Sequence, residues 1–213
     1  MKKIKFRILI LTTLLCLAPI ILGITFYQEL PSQIAVHFNM DNQPDSYATK
    51  NFALFGIPII LTLLQITCCV LSDLKDPLEN KKPPKIVKIV KFIIPVLGMI
   101  LYLTILGIAL EQPIDARKSI LWALGIIFMV IGNYLPKTNG MIIRTNVFKQ
   151  AEEQWQKLNR LWGYTYVVAG ILLMITIFLE PIYSAIVVGI VVITIIVEML
   201  YIISKTSKQK QQK

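Results

Sequence analysis

The chain has 213 residues, of which 55% are hydrophobic and only 16% charged. Soluble domains carry about 25% charged residues, and here the apolar residues come in long blocks, which excludes an ordinary soluble domain and indicates a polytopic membrane protein. The net charge of +10 would suggest nucleic acid as partner of a soluble chain; in a membrane chain it reflects retention of Lys and Arg in cytoplasmic loops, and no direct nucleic-acid contact is expected.

Six apolar spans are predicted, over about 8–26, 52–71, 89–110, 119–135, 161–179 and 182–203. Each is long enough to cross roughly 30 Å of hydrocarbon, and the fourth, the shortest, must sit nearly upright. The first follows Lys2, Lys3, Lys5 and Arg7 and has no clean small-x-small cleavage site, so it reads as an uncleaved helix and not as a signal peptide. Pro19, Pro58 and Pro95 lie inside the first three spans, where kinks are expected because proline frees a carbonyl that neighbours must satisfy.

Between the first two spans, Leu30 to Lys50 alternates Ile34, Val36 and Phe38 and carries turn signals at Asp41-Asn42 and Pro44-Asp45. That pattern predicts a short strand or extended segment in a folded outer cap. His37 with Asp41 and Asp45 is a weak candidate for a metal or acid–base site, since the chain has a single histidine. A cap that contacts something outside is the expected role. The second inner loop, with Pro77, Pro83 and Pro84 among mixed charges, reads as an extended linker.

Gly125 and Gly132 are seven residues apart on the fourth span, as are Gly163 and Gly170 on the fifth. Seven residues is about two turns, so each pair shares a face, and small residues let helices approach closely in lipid. A tight hairpin of spans four and five is therefore expected. In the loop between them, Pro136 ends the fourth span, and Phe148, Ala151, Trp155, Leu158 and Trp162 share one helical face. Glu153 precedes Lys157 by four residues on the polar face. This is the pattern of an amphipathic connector on the lipid surface. The tail from Lys205 to Lys213 is basic and glutamine-rich; it is expected to be disordered and drawn to anionic lipid.

Glu198 is the one carboxylate within a predicted span, and Lys91, near the inner end of the third, is its expected partner. One such carboxylate argues against a pump. No HExxH, GxSxG or P-loop occurs, and the Glu152-Glu153 pair lacks membrane histidines to work with. No catalytic residue, metal or cofactor is expected. Cys16, Cys68 and Cys69 fall inside apolar blocks and read as small fillers, not a disulfide framework.

Of the 22 Lys and Arg residues, Lys50, Arg117 and Lys118 fall on one side of the predicted bundle and the other 19 on the opposite side. That asymmetry puts both termini in the cytoplasm. The fold class is thus an all-α polytopic membrane protein with about six transmembrane helices and both termini cytoplasmic. Residues 1–72 would hold two helices and the outer loop 27–51; 73–118 an inner linker, the third helix and a short outer loop; 119–204 the last three helices and inner loop 136–160; and 205–213 the tail.

Two stretches carry a family resemblance. Gly132-Asn133-Tyr134-Leu135-Pro136-Lys137, Ile143-Arg144-Thr145, Trp155, and Asn159-Arg160 leading to Gly163 resemble the signature of the SdpI/YfhL immunity family. Leu30-Pro31, His37-Phe38-Asn39, Pro44-Asp45 and Lys50 resemble the small extracytoplasmic segment that often precedes it. The chain departs from the family at Ile142, where glycine is common, at Thr145-Asn146-Val147-Phe148, and at Asn159 in place of histidine; its loop before Arg144 is shortened. The resemblance implies a multi-pass protein of the bacterial cell membrane that protects its host from a secreted peptide toxin. It also implies a second role, capture of a cytoplasmic helix-turn-helix repressor at the membrane. Asn133, Pro136, Lys137, Arg144, Thr145, Trp155, Asn159 and Arg160 would then face the inner partner. Leu30, Pro31, His37, Phe38, Asn39, Pro44, Asp45 and Lys50 would face the toxin. The alternative, a small-solute channel or transporter, requires a polar lining, and the spans offer only scattered Thr, Ser and Gln65.

Overall fold

The computed structural model describes residues 4–39, 41–74, 85–137 and 152–211. In chain order these form α1 (Phe6–Leu17), α2 (Pro19–Thr25), β1 (Gln33–Phe38), β2 (Pro44–Thr49), a π-helical turn (Phe52–Gly56), α3 (Ile57–Leu74), α4 (Lys85–Val90), α5 (Ile93–Ala109), α6 (Ala116–Tyr134), α7 (Glu152–Ile175) and α8 (Pro181–Gln211). Among the described residues, six helical stretches are long and apolar enough to cross a membrane: Phe6–Thr25, Phe52–Leu74, Lys88–Ala109, Ala116–Lys137, Gln156–Phe178 and Pro181–Glu198. They coincide with the predicted spans to within a few residues.

Two corrections arise at the helix ends. The amphipathic connector is not a separate surface helix from Glu152 onward: those residues are the first turns of α7, which runs unbroken into the fifth span. The tail expected to be disordered is helical as far as Gln211. Lys and Gln are good helix formers, and a helix already nucleated in the span extends at little cost.

The chain divides into two compact units, 1–123 and 124–213. In the first, the three prolines mark three breaks. Pro19 begins α2, Pro58 follows the π-helical turn, and Pro95 follows the break between α4 and α5. Each proline leaves the carbonyl four residues earlier without its helical donor. For Pro58 that carbonyl is Leu54, which accepts from the Tyr102 hydroxyl of α5 at 3.5 Å. For Pro95 it is Lys91, which accepts from the Gln65 side-chain amide of α3 at 2.7 Å. Spans two and three thus satisfy each other's broken ladders, as lipid supplies no donor.

The cap is an antiparallel hairpin in the register Gln33↔Thr49, Ile34↔Ala48, Ala35↔Tyr47, His37↔Ser46. Val36 is the extra residue between two paired positions, a bulge. Asn39 builds the turn: its side-chain oxygen accepts from the backbone of Asp41 at 3.0 Å and Gln43 at 2.9 Å. Asn42 takes the left-handed conformation, φ 60°, which asparagine tolerates. Its side chain also accepts from the Ala116 backbone at the start of α6, at 2.8 Å. Beneath the hairpin, Leu30 and Ile34 pack with Ala53, Leu54, Tyr102 and Leu106. Gly23 lets α2 reach this core, since a Cβ there would lie 2.1 Å from the Tyr102 hydroxyl. Ile34→Ala is expected to cost about 2–5 kcal/mol locally, because it removes most of a buried side chain and leaves a cavity behind. Faster proteolysis at the Asn39–Pro44 turn, with the spans intact, is the measurement.

In the second unit the expected glycine hairpin is present. A Cβ on Gly132 would lie 2.6 Å from the Gly163 carbonyl oxygen, and one on Gly170 would lie 2.6 Å from the Gly125 carbonyl oxygen. The backbones of α6 and α7 therefore touch at two levels. Phe128 and Tyr166 meet edge to face between those levels, with ring centroids 5.6 Å apart.

Candidate functional site

Three places concentrate polar groups. The first is the hairpin surface. His37 and Asp45 pair across it through Nδ1 and a carboxylate oxygen, both exposed. Tyr47 beside them is 57% exposed, and Pro31 and Pro44 are exposed at the strand ends. His37, Asp45 and Tyr47 thus stand exposed on the hairpin. The other residues assigned to ligand contact serve the cap itself. Leu30 lies in the core at 4% exposure and cannot meet a ligand. Asn39 holds the turn. Lys50 donates to the Tyr27 carbonyl at 3.0 Å and lies over the Tyr27 ring. Phe38 is half-buried.

The second place is at the other end of the same three spans. Lys91 donates to Asp73 at 2.6 Å, with the two side chains 5% and 3% exposed. Asp73 also accepts from the Lys5 backbone N–H at 3.0 Å, and the Lys5 ammonium lies 3.7 Å away. Gln65 joins through the Lys91 carbonyl and donates to the Cys69 sulfur at 3.1 Å. Thr12 of α1 meets the same sulfur at 3.8 Å. One network thus fastens α1, α3 and the α4–α5 break. The expected Glu198–Lys91 pair is corrected here, because each has another partner. Lys91 is held by Asp73, and Glu198 lies beside the Tyr166 hydroxyl. Asp73, which the apolar pattern places in the inner linker, is instead the last polar residue of α3, buried with Pro58, Thr62, Gln65 and Cys69. Those residues recur at spacings of three and four, so the buried face of α3 is its polar face. That periodicity was the available signal.

The third place is the loop end of the glycine hairpin. Asn133 is exposed and accepts from Lys137 at 3.0 Å, and the Lys137 ammonium lies over the Tyr134 ring. Pro136 packs on Gly163, where an added Cβ would lie 2.5 Å from its Cγ. Asn159 is buried at 3% exposure and Arg160 is exposed, one turn before Gly163 on α7. Asn133, Pro136 and Lys137 are thus gathered at the crossing. Arg144 and Thr145 lie outside the described residues, as does the side chain of Trp155. Among the described residues no group of His, Cys, Asp and Glu is arranged to hold a metal ion.

No curated protein and no solved structure matches the chain. Residues 14–62 match a family described as a domain of unknown function, DUF1648. The matched stretch runs from the second half of α1 through the hairpin to Thr62 on α3, and holds every residue assigned to the outer surface.

Proposed function

We propose that this chain is an immunity protein of the bacterial cell membrane, which protects its host from a secreted antimicrobial peptide by binding it, without catalysis. In a second role it holds a cytoplasmic repressor at the membrane when the peptide is present. The observation that carries this reading is the order of two features in one chain: the DUF1648 match over 14–62, then the SdpI-like series from Gly132 to Gly163. The basic asymmetry supports a cytoplasmic position for the Asn133–Lys137 end and an outer position for the hairpin. The exposed His37, Asp45 and Tyr47 of the hairpin are suitable contacts for a peptide. Expression in a sensitive bacterium is expected to raise survival against the peptides encoded beside the gene. Unchanged killing by all of them would remove the immunity reading.

A small-solute channel is the second reading, favoured by the buried polar face Thr62, Gln65, Cys69 and Asp73. Against it, Gln65 and Asp73 are spent on partners inside the bundle. Solute flux into proteoliposomes separates the two readings.

A further inference from the structure

A cavity of about 180 Å³ lies between α7 and α8, lined by Tyr166, Ala169 and Leu172 on one side and Val187, Val191 and Thr194 on the other. The Thr194 hydroxyl is turned back onto the Ile190 carbonyl at 2.8 Å, so the groove is apolar along its length. One end is polar. Glu198 lies four residues beyond Thr194 on the same face of α8, one turn past the part of the cavity that Thr194 and Tyr166 line. The two span carboxylates are treated differently: Asp73 has the Lys91 ammonium at 2.6 Å, whereas Glu198 has the phenol of Tyr166 nearby and, among the described residues, no ion pair. A carboxylate among hydrocarbon is expensive and pairs with a cation where one is within reach.

We propose that this groove holds one acyl chain of a phospholipid whose headgroup carries a primary ammonium, the ammonium reaching Glu198 and Tyr166. The groove belongs to two helices apolar enough to span a membrane, so lipid chains are its immediate surroundings. Its volume selects a chain and not a helix, because a helix with its side chains is about 10–12 Å across. The carboxylate selects the headgroup: an ammonium complements it, and an anionic headgroup is repelled.

The test uses the full chain in vesicles of equal parts phosphatidylethanolamine and phosphatidylglycerol, with a photoactivatable diazirine in the acyl chain of one lipid or the other. Labelling of the 165–172 and 187–194 segments is expected to favour the ethanolamine probe about tenfold, the size of one charge-assisted hydrogen bond. Glu198→Gln should abolish that preference, and Val191→Trp should remove labelling from both segments while other spans label as before. Should Val191→Trp fail to fold, Ala169→Leu and the wild-type headgroup comparison decide the matter. Equal labelling by the two probes, or labelling unchanged by the filled groove, would overturn the proposal. So would a disulfide between two copies through Gly189→Cys that abolishes labelling, since the groove would then belong to a second chain.

Discussion

Asp73→Ala is expected to destabilise the first unit by about 3–5 kcal/mol, the cost of leaving one member of a buried ion pair without the other. Three groups lose their acceptor together: the Lys91 ammonium, the Lys5 backbone N–H and the Lys5 ammonium. The Lys91 charge is the dominant part, because its side chain is 5% exposed and water cannot replace the carboxylate. Lys91→Ala should cost less, since Asp73 keeps both Lys5 donors. The double change Asp73→Leu with Lys91→Met should recover most of the loss, because an apolar pair of similar volume carries no desolvation penalty. Resistance to unfolding in a mixed-micelle titration gives each value. Exchanging Glu198 and Lys91 should rescue nothing.

Gly132→Leu is expected to separate α6 from α7 while both still insert. Its backbone meets the Gly163 carbonyl and the Val167 amide, with an added Cβ at 2.6 Å and 2.7 Å. Neither atom can yield without moving a helix. Gly132→Ala should already cost about 1–3 kcal/mol by overpacking. The position matters because the Leu135–Lys137 turn is set by the same crossing, through Pro136 on Gly163. Repressor capture is therefore expected to fall with hairpin stability. Gly189→Leu is the control: no atom lies within 4 Å of the site its Cβ would occupy. Thermal aggregation in detergent should fall in temperature for Gly132→Leu and stay unchanged for Gly189→Leu. Equal behaviour of the two would count against the hairpin.

The parts of this molecule legible in its sequence are those set by local chemistry. Six spans follow from apolar length, the three breaks from proline, the α6–α7 contact from paired glycines at a spacing of seven, and the strand at 33–38 from alternation. What the sequence concealed is partner choice. By sequence alone Glu198 is the one carboxylate available to Lys91, because Asp73 falls past the end of the apolar run. Two more residues of helix place that carboxylate in the bundle and reverse the assignment. Gln65 and Tyr102 looked like isolated polar residues in apolar helices. Their purpose appears only when the carbonyls freed by Pro95 and Pro58 are brought beside them. Leu30 illustrates the opposite error: a position that resembles a family segment on the outer surface proves to be what holds the segment down.

Immunity and repressor capture both require the hairpin and the Asn133–Lys137 end to lie on opposite sides of the membrane, and accessible cysteines read that directly. Ser46→Cys on β2 and Asn139→Cys beyond the Lys137 turn can each be treated with a membrane-impermeant maleimide, in a chain whose Cys16, Cys68 and Cys69 are replaced. The expected result is labelling of Ser46→Cys on intact cells and of Asn139→Cys only after permeabilisation. Labelling of Asn139→Cys on intact cells would contradict the assignment of the hairpin to the outside and the Asn133–Lys137 end to the inside.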